Sequence, residues 1–209
     1  MKSGKTYLAG WMVAFLIVFL FAGCGEQKKA KEWDANGLAV EKNGQVVYCV
    51  VDSFEKGFYD VGELTGMAVE EAAIFNGKNK EGDSAPVTVE DVSIIEGNDA
   101  YVRVVYRFDN VKSYEKFQGE TLYFGTLQEA VQGRHIFSGA VVKNGDGNVT
   151  LDEKTVAKIA DNHVVVTDAK NVIWLPFDLL YYSEGVQVLS DGCVDTTKCT
   201  DMVILVMKK

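Results

Sequence analysis

VTVEDVSIIEGNDAYVRVVYRF, residues 87–108, holds two β-rich runs on either side of Glu96-Gly97-Asn98-Asp99. Gly, Asn and Asp supply the backbone conformations that a tight turn needs. In the second run Val102, Val104, Tyr106 and Phe108 alternate with Tyr101, Arg103, Val105 and Arg107. A period of two assigns the first set to a core face and the second to a half-wetted one. The stretch is an antiparallel hairpin, and it marks the chain as a sheet protein.

Working outward, the same signals recur. "GLAV" (37–40) and the run 45–53 form a second hairpin with Lys42-Asn43-Gly44 at its tip. Asp60-x-x-Glu63 has capping-box spacing and opens a helix. Its apolar stripe is Leu64, Met67, Ala68, Ala72 and Phe75, and Gly77 is its expected stop. The polar stretch 76–86 joins this helix to the next strand within one domain. Downstream, a short helix carries Tyr114 and Phe117, "ETLYFG" (120–125) is a strand, and Thr126-x-x-Glu129 caps another short helix. "HIFSGAVV" (135–142) reads as a strand, "KNGDGN" (143–148) as a turn, and Thr150-x-x-Glu153 as the cap of the helix in "LDEKTVAKIA". From His163 onward the chain is nearly all β. Val172–Leu175 is apolar on both faces and reads as a central strand. Short turns between neighbouring strands favour antiparallel pairing. The expectation is one α+β domain, 37–209, with a mostly antiparallel sheet and three or four short helices.

The N-terminus bears on location. Lys2 and Lys5 precede an almost wholly apolar run from Tyr7 to Ala22, which ends in Phe21-Ala22-Gly23-Cys24. The run has the length of a signal-peptide core and falls short of the roughly 20 residues of a spanning helix. The sequence around Cys24 resembles the lipobox of bacterial lipoproteins. That resemblance implies a signal peptide at 1–23, cut before Cys24. It also implies that Cys24 is the new N-terminus and carries diacylglycerol and acyl chains such as palmitate. Residues 24–36 are then the lipidated cysteine and its tether. An uncleaved anchor helix is the alternative, and it puts the domain on the same membrane. The segment 42–76 resembles small lipoproteins of Gram-positive gut bacteria, which implies location and fold and brings no activity with it.

Composition narrows the classes. The net charge is −9, and loss of residues 1–23, with their two lysines and no acids, makes it −11. An acidic domain argues against nucleic acid as a partner and against lying flat on anionic lipid. The two histidines, His135 and His163, each stand at an expected strand start with no partner at ligand spacing. No Gly-x-Ser-x-Gly, His-Glu-x-x-His or phosphate-cradling Gly loop occurs. No catalytic residue, metal site or cofactor is therefore assigned. Cys193 and Cys199 lie in the polar stretch "SDGCVDTTKCTD" (190–201), where export would permit a disulfide. Cys49 lies mid-strand and reads as a buried free thiol. "VKNGDGNVTLDE" (142–153) imitates an EF-hand loop, with Asn144, Asp146, Gly147, Val149 and Glu153 in register. Its first place is Val142 instead of Asp, and a strand precedes it where a helix should. A turn followed by a helix cap covers the same residues. Asn148-Val149-Thr150 matches a glycosylation acceptor by chance. Aromatic groups at Tyr48, Phe54, Phe58 and Tyr59, and at Trp174, Phe177, Tyr181 and Tyr182, read first as core and second as the lining of a groove.

The functional expectation is a lipid-anchored module on the extracytoplasmic face of the cell membrane, attached through Cys24, that binds a ligand or protein the sequence does not name. The alternatives are an envelope or polysaccharide hydrolase and a structural subunit of an envelope complex. A hydrolase should gather carboxylates in a cleft, a binding module should show an apolar concavity, and a subunit should expose an apolar patch.

Overall fold

The computed structural model describes residues 30–54, 60–79, 84–190 and 192–209. β1 (Gly37–Val40) and β2 (Val46–Ser53) pair antiparallel across a turn in which Gly44 takes φ +84. The Gln45 N–H donates to Asn43 Oδ1 at 3.0 Å and fixes that turn. β3 (Val87–Ile95) and β4 (Asn98–Phe108) pair across Glu96-Gly97, with Gly97 at φ +77. Their register shifts between Val89 and Asp91. A bulge moves the side chains after it to the other face, here as far as a second shift between Ile94 and Ile95. This is why the apolar phase in "VTVEDVSII" slips from Val87 and Val89 to Val92 and Ile94.

α1 (Val61–Asn79) starts where Asp60 Oδ1 accepts from the Glu63 N–H at 2.8 Å. α2 (Val111–Gln118) runs between Asn110, whose side chain accepts from Ser113, and left-handed Gly119. β5 (Leu122–Thr126) leads directly into α3 (Leu127–Gln132) through a complete Thr126–Glu129 capping box. β6 (Ala140–Asn144), β7 (Gly147–Leu151), α4 (Glu153–Lys158) and β8 (His163–Thr167) follow. The chain ends in β9 (Val172–Trp174), β10 (Leu179–Tyr182), β11 (Gln187–Ser190), β12 (Cys193–Asp195) and β13 (Val203–Met207).

The α+β class holds, and the strands divide between two sheets. One has the order β11-β12-β9-β1-β2-β4-β3, and the other β5-β8-β13-β10-β6-β7. Among the described residues β1–β9 is the one parallel pairing. The main core joins Leu38, Val40, Phe108 and Ile173 of the first sheet to Leu122, Val165, Leu205 and Met207 of the second. Ala68 and Ala72 of α1 and Tyr114 of α2 close it. The far face of the second sheet buries Val142, Val164 and Val206 beneath Leu127, Ala130 and Ile136. The far face of the first sheet buries Ala39, Val47, Cys49 and Val105 beneath Trp33. Among the described residues the first element is a 3-10 turn at Ala30–Glu32, ahead of β1, and its Ala30 packs on the same face as Trp33. Among the described residues no helix is long and apolar enough to cross a membrane.

Five local expectations are corrected. Gly77 does not stop α1, which runs to Asn79. Met67 leaves the apolar stripe and is 62% exposed. "HIFSGAVV" is strand only from Ala140. The N–H groups of His135 and Ile136 both donate to the Ala130 carbonyl, at 2.8 and 3.2 Å, so they close α3 and cannot enter a ladder. Thr150 does not cap α4, because it pairs with Val141 in the β6–β7 ladder. The cap passes to Asp152, whose Oδ1 accepts from the Thr155 N–H at 2.7 Å. The stretch 190–201, read as a polar loop, contains β12, which pairs with both β9 and β11.

Candidate functional site

α1 covers the part of the first sheet built from β2, β4 and β3. A strand places alternate residues on one face. Tyr48, Val50 and Asp52 of β2 thus share the face that carries Val102, Val104 and Tyr106 of β4, with Val50 opposite Val104 and Asp52 opposite Val102. Tyr48, Val104 and Tyr106 belong to the main core, so this is the inward face. The core ends at Asp52 because a carboxylate takes the next inward position.

α1 crosses this end and leaves a groove. Val50, Val102, Val104 and Leu64 form its apolar wall, and Met67 overhangs it. Asp52, Asp60 and Glu63 stand in the same lining. The groove is open to solvent and holds about 490 Å³, within the range of small-molecule sites. Two of the acids already serve the fold through one oxygen each. Asp60 Oδ1 accepts from Glu63 N–H at 2.8 Å, and Asp52 Oδ1 accepts from Ser53 N–H at 2.7 Å. Farther along the helix, Tyr106 donates its hydroxyl proton to Glu71 at 3.3 Å. Burial and then the Glu71 charge push the Tyr106 phenol up to about 12.

The sequence reading did not single out this groove. The signal was present, since Asp52 continues the phase of Tyr48 and Val50 and so puts a charge where a core residue belongs. Of the aromatics grouped around this bend, Phe54 lines the groove and Tyr48 packs on Tyr114 in the core at 5.6 Å. Phe58 and Tyr59 lie outside the described residues, and so does Cys24.

The other candidates do not converge on a site. Trp174 stacks on Trp33 at 3.8 Å and 9°, on the far face of the first sheet. Phe177 stacks on His163 at 4.5 Å, which itself lies 5.6 Å from the Phe124 ring. His163 Nδ1 is buried without a hydrogen-bond partner among the described residues. His135 lies in the closure of α3, not at a strand start, and stacks on Tyr123 at 4.0 Å. Nearby, hydrogen bonds from the Thr126 backbone and hydroxyl hold the Glu129 carboxyl below the usual glutamate range. Burial raises the Tyr114 phenol strongly, helped by its hydrogen bond to Glu120. These are packing and capping groups. Among the described residues no three of the His, Cys, Asp and Glu side chains are grouped so as to hold a metal.

Cys193 and Cys199 are separate thiols in the structure. Cys193 pairs with Trp174 and Val194 with Ile173. Paired residues share a face, so Cys193 looks toward Trp174, whereas Val194 and Cys199 belong to the main core on the opposite side. The imitation calcium loop is a β-hairpin. Val142 pairs with Val149 and is fully buried, and Asn144 pairs with Gly147. Its Asn144 Oδ1 accepts from the Asp146 N–H at 2.9 Å, which makes the turn.

No family model matches the chain, and comparison with curated proteins and with solved structures finds no match.

Proposed function

We propose that the chain is a lipid-anchored module of the cell envelope, attached through Cys24 on the extracytoplasmic face of the cell membrane, and that it binds a small ligand in the groove between α1 and the β2–β4 pair. The groove is the observation that carries the binding reading. It is concave, walled by valine and leucine, and edged by polar groups, as ligand sites generally are. The anchor rests on the sequence before and at Cys24. A lipid carrying two or more acyl chains holds a protein on a bilayer stably, each buried methylene contributing about 0.8 kcal/mol. Mass spectrometry of the mature chain tests the anchor. Cys24 should be the first residue and carry the lipid, and Cys24→Ala should abolish both cleavage and lipid labelling. An unmodified Cys24, or a mature chain beginning elsewhere, overturns it.

A second reading has one observation in its favour. Met67, Val69 and Ile74 are exposed on α1, and such residues suit a protein contact in an envelope complex. The hydrolase reading gains the acids of the groove but, among the described residues, no histidine or metal-ligand group beside them.

A further inference from the structure

We propose that the groove selects organic cations, namely small molecules with an apolar body and an ammonium group. This rests on the reading of the groove as a ligand site and assigns the chemistry of its occupant. Three carboxylates, Asp52, Asp60 and Glu63, stand in a lining that includes no Lys, Arg or His among the described residues. None of the three forms an ion pair with a described residue. The ion pairs of this sheet are elsewhere, between Arg103 and Asp91 and between Arg107 and both Glu41 and Glu90. The positive end of α1 opposes the three charges, but a helix terminus carries only about half an elementary charge. Among the described residues the lining is therefore negative, with Asp52, Asp60 and Glu63 all exposed at its edge. The wall of Val50, Val102 and Val104 gives that charge an apolar border on one side.

The two kinds of lining act on different parts of one molecule. The valine and leucine wall takes an apolar body, which leaves water without loss. Among the described residues Asp52 and Asp60 each use one oxygen within the fold and keep the other for a donor. An ammonium has three donors and no acceptor. A neutral ligand would cover the carboxylates without compensating their lost hydration, and an anion would be repelled. A metal ion is the poorer occupant, because the three acids are not grouped so as to hold one.

Three probes of nearly equal shape separate charge from shape: 4-phenylbutylamine, 4-phenylbutan-1-ol and 4-phenylbutyrate. Each is titrated into the full chain, carrying ¹³C-methyl methionine, in nanodiscs of phosphatidylcholine. The Met67 methyl at the groove is the reporter, assigned through Met67→Leu. The fully buried Met207 methyl reports on the fold. The amine should bind on the order of tenfold more tightly than the alcohol, as expected for a monovalent cation beside partly solvated carboxylates, and the butyrate most weakly. Added salt should narrow the gap between amine and alcohol. Asp52→Asn with Glu63→Gln should remove the amine's advantage, preserve binding of the alcohol and leave Met207 unmoved. Equal binding of amine and alcohol overturns the charge selection and keeps the groove as a site. Failure of all three probes to move Met67 overturns both.

Discussion

The three described cysteines show how little a residue type says without its surroundings. Cys49 lies under Trp33 and Val105 on the far face of the first sheet. Burial pushes its thiol up to about 12, against a smaller opposite pull from Arg103. Cys193 and Cys199 are raised by burial too, each on its own side of that sheet. Thiolates, not thiols, attack alkylating reagents. Native protein should therefore resist iodoacetamide at all three positions. Denatured in the absence of reductant, it should be alkylated at Cys49, Cys193 and Cys199 alike. A peptide linked through Cys193 and Cys199 would mean that β12 turns over in solution, against its pairing with β9.

At the scale of elements, the edge strand β3 is held by a side chain that imitates a neighbouring strand. Asn76 of α1 accepts from the Val87 N–H at 2.9 Å and donates to the Val87 carbonyl at 2.8 Å. Both groups belong to the first residue of an edge strand, which no other strand pairs on that side. The clamp also explains why α1 continues past residue 76, since Asn76 has to be helical to reach the strand. Asn76→Ala should destabilise the protein by about 1–3 kcal/mol, the cost of leaving half-buried backbone groups unmatched. Urea denaturation checks this, and a change below 0.5 kcal/mol would mean that water replaces the clamp freely. The β6–β7 hairpin makes a complementary prediction. A calcium site with a dissociation constant near 10 μM would add about 2.7 kcal/mol at a hundredfold excess. Here Val142 is a paired, buried strand residue, so millimolar calcium should leave the melting temperature unchanged. A calcium-dependent rise that Glu153→Gln abolishes would refute this. The elements that the sequence makes legible are those with local signals. Gly97 and Gly44 announce their hairpins, and Thr126-x-x-Glu129 announces its capping box. What stays hidden depends on partners far along the chain. The parallel β1–β9 pairing joins residues 37–39 to 172–174. The three-residue strand β12 is too short for a visible period. Of the groove, Phe54 at the aromatic bend and the out-of-place charge of Asp52 could be read beforehand, but the covering by α1 is a tertiary fact.

For the whole molecule, the segment ahead of β1 is docked by a contact among three distant segments. Trp33 stacks flat on Trp174 of β9, while Arg103 of β4 donates to the Trp33 carbonyl at 3.0 Å. Arg103 is itself held by Asp91 at 3.3 Å and Ser93 at 2.9 Å. Gly37 makes the stack possible. A Cβ there would lie 2.5 Å from the Trp174 ring and 2.7 Å from the Trp33 ring, closer than such contacts tolerate. Trp174 is fixed in β9, whereas Trp33 lies outside any strand, between the 3-10 turn and β1. Gly37→Ala should therefore expel Trp33 and leave the sheet standing. The expected loss is about 1–3 kcal/mol of stability, as for other overpacked sites, with the near-ultraviolet signal of the stacked indoles gone. Limited proteolysis should then cut near residue 33 while the body of the chain resists. Trp33→Ala should open the same cleavage site without the clash. Unchanged near-ultraviolet dichroism and unchanged proteolysis in Gly37→Ala would show that the stack gives way by a small shift of both rings. The stack would then persist beside the Arg103 hydrogen bond in holding Trp33 to the sheet.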